Sequence, residues 1–264
     1  MTDWNNALKL GFDPAAPDAW PAWLAGSACG GALPRRVVAP GAAVAPLAPA
    51  VASRLGMRPD CVVTGGTTDS IAAFLAADVA EHGEAVTSLG STLAVKLLSP
   101  VRVDSATHGV YSHRLGDAWL VGGASNTGGA ALRSLFSDEQ LHSLSARIDP
   151  AQPSPLDYYP LIKPGERFPV YDPAMQPRMG PRPADDVAYL HGLLESMARI
   201  EAEAYRLLAA LGAPRVTRVL TAGGGAANPQ WTAIRERVIG APVAPSAQGD
   251  AAYGAALLAR RALR

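Results

Sequence analysis

The strongest constraint on the fold is a single apolar stripe. Val187, Leu190, Leu194, Met197, Ile200, Ala204, Leu207 and Leu211 recur at three- and four-residue intervals, the mark of a long amphipathic helix. Asp185 or Asp186 stands where an N-cap belongs, and Gly212 where a left-handed stop belongs. A helix this apolar along one face must lie on a partner layer, and its neighbours supply one. After it come a strand (Val216 to Leu220), the turn Gly223-Gly224-Gly225, a helix from Asn228 to Ile239, a short strand around Ala241 to Val243, and a helix from Asp250 to about Ala262. Before it, Ala85 to Leu89 and Leu93 to Leu98 flank Gly90-Ser91-Thr92 as a hairpin. Ala118 to Val121 reads as a third strand, broken by Gly122-Gly123, and Asn126 to Phe136 as a helix capped by Asn126 or Thr127. Hairpins followed by alternating helix and strand predict a mixed α/β layer architecture.

The remaining segments are less regular. Residues 149 to 184 are proline-rich and read as an ordered loop over the surface. Residues 1 to about 60 read as an irregular connector with one short helix near Ala50 to Leu55. Trp4, Trp20 and Trp23 in that connector need a surface to pack on, and the segment offers none of its own. Charge is balanced, 23 basic residues against 23 acidic. This argues against nucleic acid or a polybasic membrane anchor and leaves small molecules or proteins as partners. Cys29 and Cys61 have neither metal-ligand nor disulfide-framework spacing. No stretch resembles a signal peptide or approaches membrane-spanning length, so a cytoplasmic protein is expected.

Three places bear on chemistry. Cys61-Val62-Val63 reads as a buried strand, Gly65-Gly66 breaks it, and Asp69 opens the helix of Ile71 to Leu75. Asp69 is then either an N-cap or a carboxylate at the carboxyl end of a strand, where open α/β sheets place their ligands. The run Thr221 to Asn228 fails the dinucleotide fingerprint, because Asn228 stands at the third glycine position, and no P-loop is present. Its glycines still let backbone approach a ligand closely, and Asn228 either caps the next helix or reads a nucleotide edge. Gly90-Ser91-Thr92 is either a plain hairpin turn or a loop that holds phosphate oxygens. A serine hydrolase is unsupported, since Gly123 to Thr127 misses the last glycine of the nucleophile elbow. His108 and His113 lie five apart in an extended region, a spacing that does not converge on a metal, and all five histidines read as surface or packing residues.

In chain order, Asp3 to Gly11, Gly66-Thr67-Thr68-Asp69-Ser70, Ser88-Leu89-Gly90-Ser91-Thr92, Gly122 to Gly129 and Gly223 to Trp231 resemble motifs of the FGGY family of carbohydrate kinases. The wording of Thr67 to Ser70 and of Ser125 to Gly129 is most similar to the pentulose branch, associated with D-ribulose or D-xylulose. The resemblance implies an α/β, actin-like/ribonuclease H-like sugar kinase fold that binds ATP, Mg²⁺ and a sugar in a cleft between two domains. It implies that Asp69 is the catalytic base. Gly90, Ser91 and Thr92 match the second phosphate-binding turn, and Gly224, Gly225 and Asn228 the adenosine motif. Gly128 is expected among the nucleotide-binding residues, and no metal ligand is assigned. Residues 1–82 match the last part of the family's first domain and residues 83–264 its second. The rest of the first domain, with a phosphate loop and most sugar contacts, has no counterpart here. The chain alone is therefore expected to be nearly inactive, with apolar surface in residues 1–82 that favours self-association or a complementing chain. A non-catalytic nucleotide-binding or interaction module derived from the same fold is the alternative expectation.

Overall fold

The computed structural model describes residues 1–261 of the chain. In order, the elements are β1 (Thr2–Asp3), α1 (Trp4–Leu8), α2 (Ala22–Ala25), β2 (Val37–Val38), β3 (Ala43–Pro46), α3 (Pro49–Leu55), β4 (Val62–Thr64) and α4 (Asp69–Ala76). They continue with β5 (Glu84–Leu89), β6 (Leu93–Ser99), β7 (Tyr111–Leu115), β8 (Ala118–Ser125), α5 (Gly129–Arg133), α6 (Asp138–Ser145), α7 (Asp186–Ala210), β9 (Arg218–Ala222), α8 (Pro229–Ile239), β10 (Val243–Pro245) and α9 (Ala251–Arg261). They divide into two compact units. The first takes Met1–Asp78, His113–Asp117 and residues 248–261; the second takes Val79–Ser112 and Ala118–Ala247.

The first unit is small and helix-rich. β1 pairs with β2 in parallel, and β3 pairs with β4 in antiparallel with an irregularity between Ala43 and Ala45. α4 and α9 pack at very close range: a Cβ added to Gly254 would lie 1.7 Å from the Ala72 carbonyl oxygen. Only glycine permits that approach. The amino-terminal segment is more ordered than an irregular connector. Asp3 caps α1 through bonds from the Asn5 and Asn6 amides, and Phe12, buried at 2% exposure, meets the Trp20 ring edge-on at 5.1 Å. Trp20 Nε1 donates to the Pro34 carbonyl, and the Arg114 guanidinium stacks on Trp4 at 4.7 Å. Two of the three tryptophans thus find partners, while Trp23 stays 70% exposed. The strand expected at Cys61 to Val63 forms as β4, one residue later. It is not buried: among the described residues its one strand partner is the short β3, and Val63 remains 38% exposed.

The second unit is built on five strands of a sheet, ordered β10-β9-β5-β6-β8. β10, β9 and β5 run parallel to one another, whereas β5, β6 and β8 form an antiparallel run. α7 lies on β6 and β8 and against α6 and α8. Its stripe reads as sequence periodicity predicts: Leu190, Leu194, Met197 and Ala204 are at most 1% exposed. Asp185 caps it through the Val187 and Ala188 amides, and Gly212 (φ +105°) follows its end.

Two expectations fail here, one for steric reasons and one because hydrogen bonds hold the backbone otherwise. Gly122-Gly123 does not break β8, which runs to Ser125. The glycines instead make room: a Cβ would lie 1.9 Å from the Val95 carbonyl oxygen at Gly122 and 2.5 Å from the Phe168 ring at Gly123. The expected helix at Asn126 starts only at Gly129, because Asn126 and Thr127 are held in another conformation. The Asn126 amide donates to Glu166 at 2.7 Å, and its side chain donates to the Gly165 carbonyl. The proline-rich segment is likewise not merely a surface loop. It sends Phe168 (0% exposed) and Glu166 (1%) into the interior.

Candidate nucleotide site and candidate base

In the second unit the pairing of β5 with β9 decides what meets. The strands are parallel neighbours with Ser88 opposite Ala222, so the turns that follow them leave the same edge of the sheet. Those turns are Gly90-Ser91-Thr92 and Gly223-Gly224-Gly225. They touch: a Cβ on Gly223 (φ +84°) would stand 2.7 Å from the Leu89 carbonyl oxygen. A cavity of about 540 Å³ opens beside them. One wall is the turn and start of α8, from Gly224 to Trp231; the facing wall is one side of α6, with Asp138, Leu141, His142 and Ser145. These four sit at i, i+3, i+4 and i+7, one helical face. Gly90, Gly129 and Arg133 close one end.

The three adjacent glycines do different work. Gly223 is required by its backbone conformation and the Leu89 contact. Gly225 is required by packing, since its Cβ would stand 2.6 Å from Leu89 Cβ and 2.8 Å from the Trp231 ring. Nothing lies within 4 Å of the corresponding position on Gly224, which is therefore the glycine that leaves open space on the cavity side. Asn228 is an N-cap: its Oδ1 accepts from the Trp231 amide at 2.9 Å, and its Nδ2 donates to Ser145 Oγ at 2.8 Å. That second bond ties the two walls together.

Of the residues expected at a nucleotide, Gly90, Gly224, Gly225 and Asn228 line this cavity, while Ser91, Thr92 and Gly128 do not. Gly128 (φ +151°) supports the turn from behind, where a Cβ would lie 2.7 Å from both the Ser91 carbonyl oxygen and Thr92 Cα. The Gly129 and Ala130 amides bond the Gly90 and Ser91 carbonyls at 2.9 and 3.2 Å, so the turn is pinned by backbone. The corner leading into it is fixed by Glu166. This buried carboxylate accepts from Ser125 Oγ, the Asn126 and Arg167 amides and the Tyr159 hydroxyl, at 2.5 to 3.0 Å. Burial, then the adjacent Glu166 charge, pushes the Tyr159 hydroxyl well above its ordinary range, so it stays a neutral donor.

Beneath the two turns lies a buried polar node. Arg235 and Glu201, both fully buried, make a bidentate pair at 2.6 and 2.8 Å, and Arg235 also donates to Thr221 Oγ1 at 2.6 Å. Thr87, the cross-strand partner of Thr221, donates to Glu201 at 2.5 Å and bonds the Tyr205 hydroxyl at 2.7 Å. Burial works against the Arg235 charge, but Glu201 overcomes it and its pKa is raised; burial, reinforced by Glu201, raises Tyr205 as well. The node locks β5 and β9 to α7 and α8.

Asp69 lies in the first unit. Thr68, not Asp69, occupies the N-cap position of α4. Asp69 is the first helical residue, exposed, with Oδ1 accepting the Ser70 amide at 2.7 Å. It lines a cavity of about 370 Å³ with Thr64, Gly65, Thr67 and α9. The preceding loop is tied down by Asn5, whose Nδ2 donates to Thr67 Oγ1 at 3.0 Å. Gly65 is obligatory there, as its Cβ would meet the Ala39 carbonyl oxygen at 2.4 Å.

Sequence reasoning passed over Arg133, Asp138, His142 and Glu166. Arg133, Asp138 and His142 carry no motif, and only the packing of α5 and α6 brings them to the cavity. Among the described residues, no three His, Cys, Asp or Glu side chains gather as a metal cage, and no helix is long and apolar enough to cross a membrane.

Residues 85–263 match the model of the FGGY family of carbohydrate kinases, C-terminal domain. The structure is similar to that of a xyloylose kinase from Brucella ovis (TM-score 0.86, 21% identity), covering 99% of this chain and 56% of that one. It is also similar to a gluconate kinase from Lactobacillus acidophilus (TM-score 0.81, 16% identity, 99% and 55% covered). A glycerol kinase from Plasmodium falciparum, solved with ADP, matches at a TM-score of 0.76 and 16% identity (99% and 54% covered). The chain thus spans a little over half the length of each of these proteins. Its mixed α/β architecture is the actin-like/ribonuclease H-like fold of the sugar kinases.

Proposed function

The chain belongs to the FGGY family of carbohydrate kinases, and from that premise we propose that it supplies the adenine nucleotide site and the general base of an ATP-dependent sugar kinase. The observation that carries the reading is the cavity beside the two glycine turns. Gly224 leaves backbone open on one wall, α6 offers Leu141 and His142 on the other, and the Gly90 turn stands at the end. Adenosine would lie between the walls, with the phosphates toward Gly90-Ser91-Thr92. Gly128 would act by holding that turn in shape. In the first unit, Asp69 is exposed and free to accept the proton of a sugar hydroxyl as it attacks the γ-phosphorus. Phosphoryl transfer asks for little else from protein carboxylates beyond positioning and charge neutralisation. Mg²⁺ is proposed to arrive with the nucleotide as MgATP, and no step is assigned to an ion held by this chain.

A pentulose, D-xylulose or D-ribulose, is the proposed acceptor, supported by the motif wording around Asp69 and Ser125 and by the xyloylose kinase match. The gluconate and glycerol kinases of the same fold make those acceptors the necessary comparators. Residues 1–82 are proposed to correspond to the end of the family's first domain and 83–264 to its second. The test joins calorimetric titration with MgATP and ADP to a coupled assay of ADP release with D-xylulose, D-ribulose, glycerol and gluconate. Nucleotide binding together with release stimulated most by a pentulose supports the proposal. Because the chain spans a little over half the length of the kinases it resembles, nucleotide binding with little release by the chain alone is the expected result. Release still absent when the rest of the kinase is supplied favours a nucleotide-binding module, and absence of binding at millimolar nucleotide removes the reading altogether.

A further inference from the structure

Arg133 ends α5 and lines the cavity, yet no motif marks it. Its side chain folds back across Gly129, with Nη1 3.0 Å from where a Cβ on that glycine would stand. Nη2 donates to Ser91 Oγ at 3.3 Å. That neutral hydroxyl is its one hydrogen-bond partner, and no carboxylate pairs with it, among the described residues, although Asp138 lines the same cavity. An exposed arginine normally finds a carboxylate or bulk water. This one is held over the Gly90-Ser91-Thr92 turn, its charge unneutralised, at one end of a cavity whose other walls hold the Gly224 turn and α6.

We infer that Arg133 binds the phosphate chain of the nucleotide, giving the cationic complement that the neutral turn Gly90-Ser91-Thr92 lacks. The inference rests on the nucleotide reading of this cavity and goes beyond it by assigning charge recognition to a named side chain. A guanidinium presents several N–H donors in a planar fork that matches two phosphate oxygens at once. The Ser91 bond keeps the fork near the turn without satisfying it. The absence of a Gly129 side chain is what lets the fork lie there.

The experiment separates charge recognition from shape. ADP and adenosine are titrated separately into the wild-type chain and into Arg133→Gln, Arg133→Ala and Arg133→Lys, at low and at raised salt. Hydrogen bonds to charged groups are worth about 1.5–3 kcal/mol, so Arg133→Ala and Arg133→Gln should weaken ADP about ten- to hundredfold. Adenosine affinity should stay within about twofold. Arg133→Lys keeps the charge but loses the fork and should fall between. The salt dependence of ADP binding should be shallower without the charge. Equal loss for ADP and adenosine would make Arg133 a shaping residue and overturn the inference, as would unchanged ADP affinity in both neutral variants. Failure of the wild type to bind either compound is a different result, which sinks the nucleotide reading itself.

Discussion

Gly224 and Gly225 adjoin each other on the cavity wall, and the structure predicts opposite consequences for the same substitution. A valine at 225 must put its Cβ 2.6 Å from Leu89 Cβ and 2.8 Å from the Trp231 ring. Leu89 is 3% and Trp231 3% exposed, and both belong to the main core, so neither can swing aside. Overpacking of this kind costs about 1–3 kcal/mol. For a body of this size each kcal/mol moves Tm by about 2–4 °C, so Gly225→Val should melt roughly 2–12 °C early. The Cβ of a valine at 224 meets nothing within 4 Å, and the backbone there is not left-handed. Its stability should change by no more than about 0.5 kcal/mol. It does, however, place three carbons where nucleotide would pass, and ADP affinity should fall at least about tenfold, or 1.4 kcal/mol. Thermal melting and ADP calorimetry on the two variants check this. A stable Gly225→Val, or a Gly224→Val that binds ADP like the parent, would show that the glycines do not divide the work as described.

Asp69→Asn, assayed in a preparation that shows sugar-dependent ADP release, should cut turnover about 10²- to 10⁴-fold while leaving ADP affinity unchanged; wild-type turnover would exclude Asp69 as base. Glu201→Gln leaves the buried Arg235 charge without its partner and should cost about 3–5 kcal/mol in urea unfolding. Glu201→Leu combined with Arg235→Met should recover most of that loss. His191 faces Glu195, Arg237 and Asp149, and burial outweighs the Glu195 charge, so its pKa is lowered from the ordinary 6.5. A lowered histidine pKa means the unfolded chain takes up the proton first. Stability should therefore hold above pH 6.5 and decline as pH falls through and below it, and His191→Gln should flatten that decline in melting curves. A His191→Gln profile that falls as steeply as the parent's would assign the decline elsewhere.

Regular periodicity made much of the second unit legible. The α7 stripe, the β5–β6 hairpin and the βα run from β9 onward all announce themselves by spacing and turn residues. The departures come from close packing and long-range hydrogen bonds, which a one-dimensional pattern does not encode. Gly122-Gly123 look like a strand break because glycine usually is one, yet here they admit the Val95 carbonyl and Phe168. Asn126 and Thr127 look like caps, but a carboxylate forty residues away claims the Asn126 amide. At the candidate site, sequence pointed to the glycine turns but could not say which glycine faces open space. Arg133, Asp138 and His142 were invisible for a related reason: each is ordinary in sequence, and its place depends on how α5 and α6 dock. Asn228 illustrates the limit well. Both of its readings were open in sequence, and only the bonds to Trp231 and Ser145 show it as a cap that joins two walls.

The central claim is that the cavity between the Gly224 turn and α6 is a nucleotide site, and a crystal structure of this chain with MgADP tests it most directly. Adenosine density is expected between Gly224 and the Leu141–His142 face, with the diphosphate at the Gly90-Ser91-Thr92 turn and within reach of Arg133. Nucleotide bound elsewhere in the chain, or this cavity empty at nucleotide concentrations that saturate binding in solution, would contradict it.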